Sequence, residues 1–303
     1  MTRPPYRTLS AFLRERFGKR VQKITLDAGL TCPHRDVHGH GGCIYCNSQG
    51  SGTGASARGV GLKEQIAGQI RVMGQRSKAE AFIAYFQSFS NTYAPPEQLR
   101  AIYDTVLPFP EIVGLSIGTR PDCIDEEKLA LIAGYGDNRL VWMEYGLQSA
   151  SDDTLRRINR GHDVQGFVDA VNLTARYPVR QCAHVILGLP GEGMDDYVHT
   201  AQLVSSLPVT DIKIHLLYVI RGTPMEEMLS RGEYRPLSLR EYAEAVARFV
   251  GHLRSDIVIQ RISGDPHRDE LVEPRWALDK GAVRGAVLQE MAESPISQGS
   301  LIG

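Results

Sequence analysis

The sequence predicts an α/β protein built as a parallel β/α barrel, complete or partial. Two observations predict it. Short β-rich apolar runs alternate along the chain with longer helix-like segments. Such alternation produces right-handed βαβ units and therefore a parallel sheet. Six or seven units fit this length, since ~250 residues is typical of the class. Strands are expected at 22–27, 81–86, 112–117, 140–147, 180–188, 211–217 and 256–261. Helices are expected at 60–75, 96–106, 125–134, 152–159, 164–176, 194–206, 238–253 and 276–292. Pro95-Pro96 opens one helix, Asp125 caps another, and Glu241 to Arg248 lies in a helix-forming run. Residues 1–23 read as a basic N-terminal arm, 24–254 as the core barrel and 255–303 as a C-terminal extension. The glycine-rich stretch 50–62 reads as a mobile loop.

Composition narrows the class. The 303 residues are 42% hydrophobic and 23% charged, which excludes a disordered or collagen-like chain. No apolar run approaches the length of a membrane span, and the basic N-terminus lacks the apolar core of a signal peptide. A cytoplasmic protein with no membrane partner is expected. The net charge of −1 gives the whole molecule no pull toward nucleic acid. Residues 1–23 depart from that balance, with Arg3, Arg7, Arg14, Arg16, Lys19, Arg20 and Lys23 against Glu15 alone. A solvated face is the plainest reading of that cluster.

The strand pattern carries a second message. A barrel strand is apolar where helices pack on it and polar inside only where a site exists. Alternation in 140–148, 182–187 and 212–217 points Glu144, Gln148, His184, Lys213 and His215 toward a common interior. Buried polar groups need partners, and a ligand-filled barrel mouth would supply them. Glu144, Lys213 and His215 are therefore candidates for the substrate side. A self-satisfied polar network is the alternative.

Five cysteines, an odd number, argue against a disulfide framework. Cys32, Cys43 and Cys46 follow directly on the first expected strand, spaced C-x10-C-x2-C. Three thiolates there would bind zinc, with His34, His38 or His40 as the fourth ligand, or an iron–sulfur cubane with one iron left open. Cys123 and Cys182 stand alone and read as small buried hydrophobes. The run Gly50-Ser51-Gly52-Thr53-Gly54 lacks the spacing and the immediately preceding strand of a dinucleotide loop.

These cysteines, with an aromatic residue before the last (Cys43-Ile44-Tyr45-Cys46), resemble the radical SAM superfamily, in the YhcC-type branch related to the elongator catalytic subunit. So do Phe86-Gln87-Ser88-Phe89-Ser90-Asn91-Thr92-Tyr93-Ala94-Pro95, Gly118-Thr119-Arg120-Pro121-Asp122 and Glu144-Tyr145-Gly146-Leu147-Gln148-Ser149. Asn159-Arg160-Gly161-His162 and His184-Val185-Ile186-Leu187-Gly188-Leu189-Pro190-Gly191-Glu192 complete the set. The resemblance implies a partial parallel barrel of radical SAM type with a C-terminal extension. It also implies two cofactors: a [4Fe–4S] cluster on Cys32, Cys43 and Cys46, and S-adenosylmethionine chelating the fourth iron. Reductive cleavage would then give a 5′-deoxyadenosyl radical that abstracts hydrogen from substrate.

By the same resemblance Tyr45 borders the adenine. Ser88, Ser90 and Asn91 stand where many relatives carry a GGE-type motif for the methionine amino group. Gln148 meets the ribose hydroxyls, Arg160 the carboxylate, and Gly191 lies in the turn near adenine. His184 stands where the coproporphyrinogen oxidase relatives have an Asp. The implied partners are a reductant such as flavodoxin or ferredoxin and, through the elongator-like motifs and the basic arm, a tRNA. A small metabolite is the alternative substrate. A zinc-stabilised RNA-binding protein is the reading from a different class.

Overall fold

The computed structural model describes residues 4–36, 41–47, 50 and 52–302. Among them nine strands run in chain order as β1 Val21–Leu26, β2 Ala81–Phe86, β3 Ile112–Thr119, β4 Leu140–Gln148, β5 Arg180–Leu187, β6 Asp211–Leu216, β7 Val219–Ile220, β8 Val258–Arg261 and β9 Leu271–Glu273. Seven of them form one sheet in the order β1-β2-β3-β4-β5-β6-β8, every neighbouring pair parallel. The sheet curls into a half-barrel with helices outside. β7 and β9 make a separate antiparallel pair.

The helices are α1 Leu9–Phe17, α2 Leu62–Ser77, α3 Pro96–Tyr103, α4 Glu126–Ala133, α5 Asp152–Arg157, α6 Val164–Thr174, α7 Met194–Ser206, α8 Pro224–Ser230, α9 Leu239–Gly251 and α10 Lys280–Glu293. Local chemistry starts them as expected. Pro96 sits in the first turn of α3, and the Asp125 side chain accepts from the Lys128 N–H at 2.8 Å. The segment expected as one helix at 276–292 divides. Arg275–Leu278 is a 3-10 turn, and Asp279 caps α10.

The alternation sorts the sheet as expected. Val141, Met143, Tyr145 and Leu147 of β4 join the main core beneath the helices, as do Ala183, Val185 and Leu187 of β5. At the opposite, N-terminal ends of the strands, Val21, Ala81, Ile83, Trp142 and Cys182 close the inside of the barrel. Cys182 is thus the buried small hydrophobe expected of it, and Cys123 is buried too.

The N-terminal residues correct an expectation. Residues 9–17 form α1, whose Leu13 packs into that basal cluster with Leu9, Phe12 and Phe17 around it. The Thr8 hydroxyl caps α1, and Gly18, at φ 65°, ends it in the left-handed conformation that glycine tolerates. Lys23, counted with the arm's charges, is a residue of β1. Its ammonium lies inside the barrel and donates to Gln260 Oε1 of β8 at 2.8 Å. The first and last strands of the sheet are latched by that side chain. No helix among the described residues is long and apolar enough to cross a membrane.

Candidate active site

The C-terminal ends of the strands open on a cavity of about 300 Å³. The cysteine loop forms one wall. It leaves β1 through Asp27, whose carboxylate accepts from the Gly29 and Ser56 N–H groups at 3.1 and 3.2 Å. Gln65 of α2 pins the same residue, accepting from its N–H at 2.9 Å. Short turns then present the thiols, with Arg35 N–H donating to Cys32 O and Cys46 N–H to Cys43 O. Asn159 Nδ2 donates to Gly42 O at 2.8 Å, and the Ile44 N–H donates to Ile158 O at 3.1 Å. The loop is therefore fastened to the segment after α5. Arg35 Nη2 ties its far end through the carbonyls of Asn47 (2.6 Å) and Cys46 (3.2 Å).

Cys32, Cys43 and Cys46 are free thiols that all line this cavity. Their spacing bears on what they can hold. Among the described residues, Glu144, Cys182 and His184 are the group whose ligand atoms all lie within 4.8 Å of one another, and the loop cysteines form no such group. A single zinc ion, with Zn–S bonds of about 2.3 Å, needs its sulfurs closer than that. Three cysteine thiols on one cavity, with the Arg160 guanidinium beside Cys43, are the donor set that a cluster with one open iron takes. His34 lies outside the cavity lining, packed on Gly161, with its Nε2 buried and unpartnered. His38 and His40 lie outside the described residues.

The remaining expected residues divide into those the cavity gathers and those standing behind its wall. Tyr45, Ser88, Ser90, Gln148, Arg160, His184, Glu144 and His215 all line it. Arg160 Nη2 donates to Gly146 O at 2.8 Å, and its Nη1 lies 3.6 Å from Cys43 Sγ. A buried guanidinium there is placed to offset the charge of a ligating thiolate. Gln148 reaches the cavity through a register shift after Gly146 rather than by simple alternation, and holds φ at 75°. Phe89 and Asn159 also have positive φ, at 56° and 53°. Such conformations in side-chain-bearing residues cluster where structure is held for function.

Asn91, Gly191 and Lys213 are not in the lining. Asn91 braces the wall, its Nδ2 donating to Ser88 O (3.0 Å) and Gly118 O (2.9 Å). Gly191 backs onto Arg157, which bonds Pro190 O at 2.8 Å and fills the space a side chain would need.

Lys213 lies under the cavity floor in a network centred on Glu144, which is 1% exposed. Glu144 Oε2 accepts from Lys213 and from His184 Nε2 (2.6 Å), while Oε1 accepts from Lys23 (2.5 Å) and Ser116. Burial alone would raise the Glu144 carboxyl, but Lys213 and then Lys23 draw it well below the carboxylate range. Burial, aided by Lys213, takes His184 down to about 4, so it is neutral and donates from Nε2. Burial also brings Lys213 down to about 7 against the pull of Glu144. The Lys213 ammonium lies 3.9 Å from the Tyr85 ring centroid. Two ammonium groups already hold the carboxylate of the Glu144–Cys182–His184 group, so a metal cation has no claim on it.

The sequence reading missed Arg35, Phe89, Arg120 and the C-terminal part of the lining, including Tyr218, Arg261 and Glu270. Arg120 is held by both Asp122 carboxylate oxygens, at 2.9 and 2.6 Å, and donates to Arg160 O (2.7 Å) and Gly161 O (2.8 Å). It thereby fixes the turn on which the cysteine loop is fastened. Its signal was present in the Thr119-Arg120-Pro121-Asp122 run. Arg261 gave no motif at all.

Comparison with known proteins agrees with this geometry. The family model described as the radical SAM superfamily matches residues 31–204, and that of the radical SAM C-terminal domain matches 209–293. The uncharacterized protein YtqA of Bacillus subtilis (strain 168) is 38% identical over 98% of this chain and 93% of its own length. Protein YhcC of Escherichia coli (strain K12) is 35% identical over 87% of this chain and 85% of its own. Among solved structures, an N-terminally deleted Elp3 of the archaeon Methanocaldococcus infernus superposes with a TM-score of 0.72 over 92% of this chain, at 16% identity. This chain spans 64% of that structure. The matched family models, the near full-length relatives and the curled parallel sheet make this chain a member of the radical SAM superfamily and a radical SAM enzyme.

Proposed function

We propose that Cys32, Cys43 and Cys46 hold a [4Fe–4S] cluster, with S-adenosylmethionine bound beside it between the cysteine loop and the ends of β2, β3 and β4. The observation that carries this reading is the set of three free thiols lining one cavity, with the Arg160 guanidinium beside Cys43. When bound and reduced by a donor such as flavodoxin or ferredoxin, the two groups supply a 5′-deoxyadenosyl radical for hydrogen abstraction. The chain's own residues position and shield. Arg160, held on Gly146 O beside Cys43, brings a buried positive charge to the carboxylate, Gln148 and Ser88 offer polar atoms to the nucleoside and amino groups, and Tyr45 borders the adenine. Glu144, His184 and His215 face the substrate, while Lys213 and Lys23 fix the Glu144 carboxylate from below. Five free cysteines support a reducing, cytoplasmic setting.

The elongator-like motifs favour RNA as the substrate, with a tRNA uridine as the candidate. The basic N-terminal segment lends this no support. α1 packs on the base of the barrel, at the opposite end of the strands from the cavity. Anaerobic reconstitution tests the reading. The protein should bind about four irons with sulfide and release 5′-deoxyadenosine when reduced with S-adenosylmethionine. Stoichiometric zinc without sulfide in anaerobically purified protein overturns it. Mass spectrometry of tRNA nucleosides from a deletion strain tests the RNA substrate, and an unaltered profile removes it.

A further inference from the structure

Among the described residues four guanidinium groups line the cavity, and three are anchored. Arg35 is tied to loop carbonyls, Arg120 to Asp122, and Arg160 to Gly146 O and Cys43. The fourth, Arg261 at the end of β8, has no side-chain hydrogen bond, ion pair or ring contact among the described residues. The carboxylates of the same lining are engaged elsewhere. Glu144 holds Lys23, Lys213 and His184. Asp265 pairs with Lys280 at 2.5 Å, and Glu270 accepts from Asn47 at 3.1 Å. A half-buried guanidinium left without an anion is a binding group awaiting one.

Its neighbours suit a ligand. The field of Arg261 reaches His215, Tyr85 and Tyr218. Burial keeps His215 neutral, and its Nε2 is buried with no hydrogen-bond partner. A group seated here lies on the β6–β8 side of the cavity, away from the ends of β2, β3 and β4.

We propose that Arg261 forms an oxyanion subsite, taking a carboxylate or phosphate of the substrate in the cavity between β8 and the cysteine loop. This rests on the radical SAM reading of the cavity, since it assigns the substrate to the side the cofactor leaves open. The subsite makes an acidic substrate the preferred class, whether a nucleotide phosphate or the carboxylate of a small acid.

The test is equilibrium dialysis of reconstituted protein, anaerobic and unreduced, with S-adenosylmethionine present so that its own carboxylate is not the anion measured. The probes are uridine monophosphate against uridine, and succinate against succinamide. At least one anion should bind tenfold or more tightly than its neutral counterpart. Arg261→Gln and Arg261→Ala should both erase that preference, and Arg261→Lys should keep part of it. The favoured probe tells phosphate from carboxylate. Equal binding of charged and neutral probes by the unaltered protein overturns the subsite, as does a preference that survives in Arg261→Gln. Absence of 5′-deoxyadenosine from the reduced protein overturns the radical reading separately, whatever the dialysis shows.

Discussion

The two ends of the barrel carry positive charge in opposite ways. At the base, Arg14, Arg16, Lys19 and Arg20 stand exposed on and after α1. Water screens them, and such charges contribute little to stability. At the mouth Arg120 and Arg160 are buried, 4% and 7% exposed, and each is fixed by several acceptors. In low dielectric those contacts are strong. Counting charges along the sequence favours the base as a binding region, whereas burial favours the mouth.

The sharpest way to test this contrast is through the cysteines. Cys32→Ala, Cys43→Ala or Cys46→Ala should each abolish S-adenosylmethionine cleavage. Cys182→Ala, changing a thiol of the basal cluster, should leave iron content and cleavage in place. Loss of iron in Cys182→Ala, with the loop variants active, would reverse the roles of the two ends. Next in size is Leu13→Ala, which removes the plug that α1 inserts at the base. Creating a cavity there should cost about 2–5 kcal/mol in denaturant unfolding, and a loss below ~1 kcal/mol would show α1 to be dispensable packing.

Arg160→Ala probes the mouth. Losing a charged hydrogen bond costs about 1.5–3 kcal/mol, so S-adenosylmethionine should bind roughly ten- to a hundredfold more weakly while iron is retained. An unchanged dissociation constant would remove Arg160 from the site. A smaller effect comes from Glu192, whose carboxyl accepts from Ser149, the residue after Gln148. Burial lifts it to about 7, against about 4.3 for an unfolded chain. Between those values the native protein holds a proton that the unfolded chain has released, so this group's stabilisation is present at low pH and lost as pH rises toward 7. Thermal unfolding of the natural protein should fall relative to Glu192→Gln across that window. Parallel curves would place Glu192 in water. The smallest effect is expected from reversing Arg14, Arg16 and Arg20 to Glu, which should change neither cleavage nor the salt dependence of RNA binding. A flattened salt slope would return the basic segment to the RNA reading.

Much of this was legible in sequence, for definable reasons. β2 matched its expected limits and the other six strands of the large sheet shifted by a residue or two at one end or both, because each is a short apolar run between longer helix-forming segments. β7 and β9, two and three residues long, were too short to leave a pattern. The cysteine loop was legible because its chemistry is compressed into 15 residues. α1 was missed although Thr8 and Gly18 bracket it as caps, because its basic composition masked the apolar side carrying Leu9, Phe12 and Leu13. Lys23 and Gln260 meet across the first and last strands, a contact that no local pattern encodes. Arg261 was hidden for the same reason: its significance lies in the lack of a partner, which only the folded cavity reveals.

A parallel sheet that stops short of closure has two open edges, here β1 and β8, and unpaired strand edges invite strands from another molecule. The edge of β8 is covered from within. Thr8 bridges Ile259 in parallel, and the Ile259 N–H donates to Arg7 O at 2.8 Å. Lys23 holds β1 toward Gln260 on the other side of the seam. The segment that first suggested a nucleic-acid grip thus occupies part of the backbone edge of β8, leaving fewer free peptide groups there for another strand to pair with.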